Sequence, residues 1–61
     1  MSIREALPEA RRESDGSCTR WYVPEPQAES LDRLLSERYV TVLRVPAPAS
    51  EACFACYGAV R

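Results

Sequence analysis

The residues of this sequence best suited to do chemistry are its three cysteines. Cys53 and Cys56 stand at C-x-x-C spacing, and Cys18 lies far ahead of them in the chain. A C-x-x-C pair supplies half of a typical zinc site, and thiolates also hold iron–sulfur clusters. The chain has no histidine, so a closed four-ligand site would need a carboxylate or a ligand from outside the chain. The three cysteines are therefore an incomplete set of metal ligands.

Three other roles are open to these cysteines. A redox pair needs a lowered thiol pKa within a thioredoxin-like unit, and the chain has too few residues to build one. A structural disulfide is rare in a reducing compartment. Free cysteine is otherwise among the most buried residue types and packs as a small apolar side chain. We expect this last role, with no metal and no cofactor. A thiolate metal or iron–sulfur site using Cys18, Cys53 and Cys56 is the alternative hypothesis.

The rest of the composition offers little for catalysis. The absence of histidine removes both the commonest general base and the commonest metal ligand. With two glycines, the chain has no glycine-rich loop to cradle a phosphate. We therefore expect no catalytic residues and a protein that is not an enzyme.

The charge balance disfavours nucleic acids as the main partner. The net charge is −1, whereas nucleic-acid binding depends on a surplus of cations. A weak RNA or single-strand binder is a second alternative, because cations beside an aromatic ring can hold a backbone and stack a base. Its candidate residues are Arg11, Arg12, Arg20 and Trp21.

The hydrophobic pattern also disfavours a membrane protein. No run approaches the ~18 apolar residues of a membrane span. The charged N-terminal residues are unlike a secretory signal, which needs an apolar stretch. We therefore expect a cytoplasmic protein.

The central and C-terminal part of the chain predicts a small α+β fold. Residues 17–23 and 39–45 are rich in β-branched and aromatic residues, which is typical of strands. Apolar residues at helical spacing predict an amphipathic helix over residues 26–38. Residues 50–60 fit a strand or a helix, and a strand is favoured because it would pair with residues 39–45.

The N-terminal residues predict an arm ahead of this domain. Ser2 and Glu5 match a capping box, but Pro8 interrupts the helix that they would start, and short helices are marginal alone. The expected organisation is a flexible or weakly helical arm over residues 1–16 and a domain over residues 17–61. In that domain the order is β-α-β-β, with one helix on a short antiparallel sheet. The expected core residues are Trp21, Val23, Leu31, Leu34, Leu35, Val40, Val42, Leu43, Phe54 and Val60.

Residues 39–45 carry more apolar side chains than one helix can cover. A sheet covered on one face normally presents polar residues on the other, yet both faces of this segment are apolar. Such surplus marks interfaces, and closed homodimers are the commonest oligomers. The sequence thus predicts a small non-enzymatic interaction module: a regulator, inhibitor or accessory subunit that binds a protein partner or a second copy. The expected interface residues are Tyr39, Val40, Val42, Arg44 and Tyr57.

Overall fold

The fold, seen in a computed structural model that describes residues 2–48 and 50–59, is a four-stranded antiparallel sheet with one helix packed on it. The strand order is β1-β2-β4-β3. The predicted α+β class and its β-α-β-β order are confirmed, with a further strand ahead of them. The elements are α1 Ile3–Ala6, β1 Arg11–Asp15, β2 Cys18–Pro24, a 3-10 turn Glu25–Gln27, α2 Ala28–Ser36, β3 Tyr39–Val45 and β4 Glu51–Ala59.

Strand β1 corrects the prediction that residues 1–16 form a flexible or weakly helical arm. Arg11–Asp15 instead pairs antiparallel with β2, through a turn in which Gly16 has a φ of 64°. All five residues of β1 are polar and exposed. The strand therefore lacks the alternation of apolar and polar residues from which a strand is predicted. Within residues 1–16, the helix α1 begins at the capping box that the sequence indicates. There the Ser2 amide donates to Glu5 Oε1 at 2.6 Å, and the Glu5 amide donates to Ser2 Oγ at 3.2 Å.

Helix α2 buries its apolar stripe on one face of the sheet. Leu31 and Leu35 are fully buried, in one cluster with Trp21 and Phe54. The α-helix is shorter than the predicted 26–38 at both ends, because residues 26–27 belong to a 3-10 turn and residues 37–38 form the turn that leads into β3. At its C-terminal end Arg38 Nη1 donates to the Leu34 carbonyl at 2.9 Å, which satisfies one free carbonyl. In the described part of the chain no helix is long and apolar enough to span a membrane.

The strand prediction for residues 50–60 is confirmed, and the helical alternative is wrong. Strand β4 lies between β2 and β3, with Phe54 opposite Trp21 on one side and Arg44 on the other. A strand in this position forms backbone hydrogen bonds with both neighbouring strands. A helix in the same place would leave the facing backbone groups of β2 and β3 without these partners. Its residues 52–56 are all buried.

The core predictions are confirmed in the middle of the sheet and wrong at one edge. Leu34 and Val42 are half-buried against the buried cluster. Val40 and Leu43 are not core residues: they are 74% and 52% exposed, because β3 is an edge strand. Val60 lies outside the described residues. The buried predicted residues are Trp21, Val23, Leu31, Leu35 and Phe54.

The two glycines provide a matched test of the β3–β4 pairing. Gly16 and Gly58 have almost equal positive φ angles, 64° and 65°. A Cβ added at Gly16 meets no atom within 4 Å, whereas one added at Gly58 lies 3.2 Å from the Val40 Cβ. We expect Gly16→Ala to lower the free energy of unfolding by about 1–2 kcal/mol, the cost of the left-handed backbone. Gly58→Ala should lower it further, because Val40 must also shift.

Urea denaturation of both variants measures the difference. Equal losses would contradict close packing between Gly58 and Val40.

Candidate functional site

The strand geometry of β4 separates the two cysteines of the C-x-x-C pair. Residues three apart in a strand point to opposite faces. Cys56 belongs to the buried cluster beneath α2, whereas Cys53 lies opposite Tyr22 and Val45 on the other face. Among the described residues no group of three or more histidine, cysteine or acidic side chains is placed to hold a metal ion. The structure therefore does not bring Cys18, Cys53 and Cys56 together.

The prediction that cysteine serves as a small apolar residue is confirmed for Cys53 and Cys56, which are both 1% exposed. Cys18 is half-buried. Burial raises the pKa of the Cys56 thiol from 9.0 to about 11, and negative charge on Cys18, Cys53 and Asp32 adds to this shift. The thiolate is the metal ligand and the nucleophile, and the raised pKa of Cys56 disfavours its formation at neutral pH.

The candidate nucleic-acid residues are also divided between the two faces of the sheet. Arg12 is paired across the strands with Trp21, whose 7% exposure removes the ring as a stacking platform. Arg11 and Arg20 lie on the opposite face, because side chains alternate along β1 and β2. These four residues therefore do not form one binding surface.

The face of the sheet opposite α2 has no helix of the described residues packed on it, and we call it the open face. Its middle is small and apolar, with Cys53 and Ala55 buried between longer side chains of the neighbouring strands. Its β1 side is polar: Arg11 lies 4.4 Å from the ring centre of Tyr22, and its Nη1 lies 3.3 Å from Glu51 Oε2.

Cross-strand neighbours tie the two tyrosines of the open face to cysteines. Cys53 raises the pKa of Tyr22, mainly through a side-chain hydrogen bond. Cys18 raises the pKa of Tyr57 in the same way. Both phenols stay neutral at physiological pH, so they contribute uncharged contact surface rather than charge.

The exposed large hydrophobic residues of the described chain lie on the edge strand β3 and on the adjoining strand β4. They are Val40, 74% exposed, Leu43, 52% exposed, and Tyr57, 38% exposed. Val40 and Leu43 belong to β3, and Tyr57 lies on β4 opposite Thr41. We call Val40, Leu43 and Tyr57 the β3 edge surface.

Two of the five predicted interface residues, Val40 and Tyr57, lie in this surface. Tyr39 and Val42 instead pack against the buried cluster. Arg44 binds within the chain: its Nη2 contacts both carboxylate oxygens of Glu25, at 2.5 Å for Oε2.

Sequence reasoning missed Leu43 as a surface residue and assigned it to the core. The apolar character of residues 39–45 indicated a strand, but no residue type in it indicated an edge position. The missing signal is the order of the strands, which depends on the pairing of β4 with both β2 and β3.

The chain matches no protein-family model, and neither the curated proteins nor the solved structures contain a significant match to it. Its function is therefore inferred from the site alone.

The raised pKa of Cys56 predicts a loss of stability at alkaline pH. The folded thiol titrates near pH 11, above the value of 9.0 for a free thiol, so the unfolded chain releases its proton first. This group leaves stability constant below about pH 9 and lowers it by up to about 2 kcal/mol as pH rises to about 11. Urea denaturation at about pH 8 and about pH 10.5 measures this loss.

Cys56→Ala is the control, because it removes the titrating group and leaves the other alkaline groups in place. The variant should lose less stability than the native chain over the same pH interval. An equal loss in both proteins would show that Cys56 does not cause it.

Proposed function

We propose that this chain is a non-enzymatic protein-interaction module, a regulator, inhibitor or accessory subunit, that binds protein through the β3 edge surface. One observation carries the proposal: Val40 and Leu43 are exposed on the edge strand β3, and Tyr57 is exposed on the adjoining strand β4. Apolar side chains scattered singly on a surface are ordinary, but three large ones on two neighbouring strands indicate an interaction site.

The contrast between the two edge strands supports this surface. Exposed strand edges invite pairing, and natural proteins protect them with charged residues, prolines or bulges. Strand β1, with the sequence RRESD, has four charged residues and is protected in this way. Strand β3, with the sequence YVTVLRV, has one charged residue, Arg44, whose guanidinium group is bound to Glu25. The β3 edge therefore lacks the usual protection, as expected of a strand that takes a partner.

We also propose that the protein acts in the cytoplasm. All three cysteines are free, and Cys18 is partly accessible. Thiols persist in the free state in reducing compartments.

Leu43→Lys tests the proposal, because Leu43 is 52% exposed and its replacement leaves the buried cluster intact. The native chain is expressed with two different affinity tags in the cells that normally contain it. Proteins recovered with one tag are then identified, including the same chain carrying the other tag. We expect Leu43→Lys to lose a protein that the native chain retains, because a buried lysine would have to be desolvated at the interface.

Ser14→Lys is the matched control, since it adds the same charge on the exposed β1 edge. It should retain every protein that the native chain retains. If Leu43→Lys retained the same proteins as Ser14→Lys, including the second tagged copy, the proposal would be wrong.

A further inference from the structure

We propose that the partner of the β3 edge is a second copy of this chain, with the two β3 strands paired antiparallel. The two sheets would then form one continuous sheet of eight strands, four from each copy. This inference rests on the proposed function, because it names the partner of the same surface.

The first argument is that the exposed apolar residues wrap around the edge. Side chains alternate along a strand, so Val40 shares the side of Val42, whereas Leu43 points to the open face with Tyr57. A layer packed on one face of the sheet would cover only one of these sides. A strand placed alongside β3 contacts both sides, since its own side chains alternate in the same way.

The second argument is that β3 fits itself in register. Antiparallel pairing of two identical strands uses all seven residues when the two-fold axis passes through the middle residue, Val42. Thr41 then lies opposite Leu43 of the second copy, and Tyr39 lies opposite its Val45. Each residue keeps its face, so α2 of both copies lies on the same side of the joined sheet.

The third argument is electrostatic. Arg44 is the one charged residue of β3, and in this register it lies opposite Val40 of the second copy rather than opposite another arginine. Like charges directly opposite each other destabilise a pair of strands, and this pairing has none. The Arg44 head group is bound to Glu25, so its aliphatic stem is available to cover Val40.

The β1 strand of another copy fits the same edge less well. It would place Arg11, Arg12, Glu13 and Asp15 alongside an apolar strand. Those charges would lose part of their hydration, and the one charged residue of β3, Arg44, is already bound to Glu25. The chemistry of the chain therefore favours β3 against β3.

Two variants of one residue test both the partner and the register. Val40 is 74% exposed, so both Val40→Lys and Val40→Glu should leave the monomer folded, which circular dichroism and thermal unfolding verify. Each dimer has two contacts between residue 40 and Arg44 of the other copy. Lysine there repels the Arg44 guanidinium group twice, whereas glutamate attracts it twice, and the Glu25 carboxylate bound to that group reduces both effects. We expect dimerisation to be about threefold weaker for Val40→Lys than for Val40→Glu.

Sedimentation equilibrium of the native chain and of both variants gives the dissociation constants, and Ser14→Lys controls for the added charge. We expect the native chain and Ser14→Lys to form dimers with similar dissociation constants. The dissociation constant should be higher for Val40→Glu and highest for Val40→Lys. If the native chain were a monomer, the proposal of a second copy as partner would be wrong. The proposed function would still stand, with a different protein as the partner of the β3 edge. A dimer insensitive to Val40→Lys, or equally sensitive to both charges, would overturn the edge pairing or its register.

Discussion

The packing of α2 against the Trp21–Phe54 pair is the interaction on which the rest of the structure depends. Leu31 and Leu35 lose all contact with water there, and no second apolar layer exists among the described residues. A helix of nine residues is about 14 Å long and about 10 Å wide, whereas four strands at about 4.8 Å spacing form a broader sheet. One helix therefore covers the middle of one face. The open face and the outer side of β3 are what this limit leaves uncovered.

The same limit explains the side chains of β4. This strand lies in the middle of the sheet, so its residues are enclosed from both neighbouring strands. Around the single large residue Phe54, residues 52–56 are alanine or cysteine. Because Cys53 and Ala55 are small, the longer side chains of the neighbouring strands, Tyr22 on β2 and Leu43 on β3, shield them from solvent. No covering layer is needed on the open face. Cysteine fits this position by its size and weak polarity.

Local patterns predicted the elements that bury an apolar stripe or are rich in β-branched residues. Helix α2 and strands β2 and β3 belong to this group, since their residue types agree with their final environment. The residues of β4 fitted a helix equally well, and its strand was predicted from the expected pairing with β3. Strand β1 could not be predicted in this way, because its formation depends on the Gly16 turn and on pairing with β2 rather than on apolar periodicity.

The residues of the candidate site also differ in whether a local pattern could predict them. Val40 and Tyr57 could be named from surplus apolar surface, whereas the exposure of Leu43 follows from strand order. That order arises from contacts between residues distant in sequence, which no local pattern contains. Likewise, the separation of Cys53 from Cys56 follows only once the segment is known to be a strand.

The charged β1 strand has a consequence for how far this protein can assemble. If two sheets join through β3, the dimer has no free β3 edge, and a β1 strand with the sequence RRESD forms each of its outer edges. Those ends repel further strands, because pairing with them would bury charges without counterions. The sheet would thus have one edge that pairs, β3, and one edge that resists pairing, β1. Under the proposed pairing, assembly would end at the dimer, because the charged β1 strands at its outer ends would not extend the sheet into a fibre.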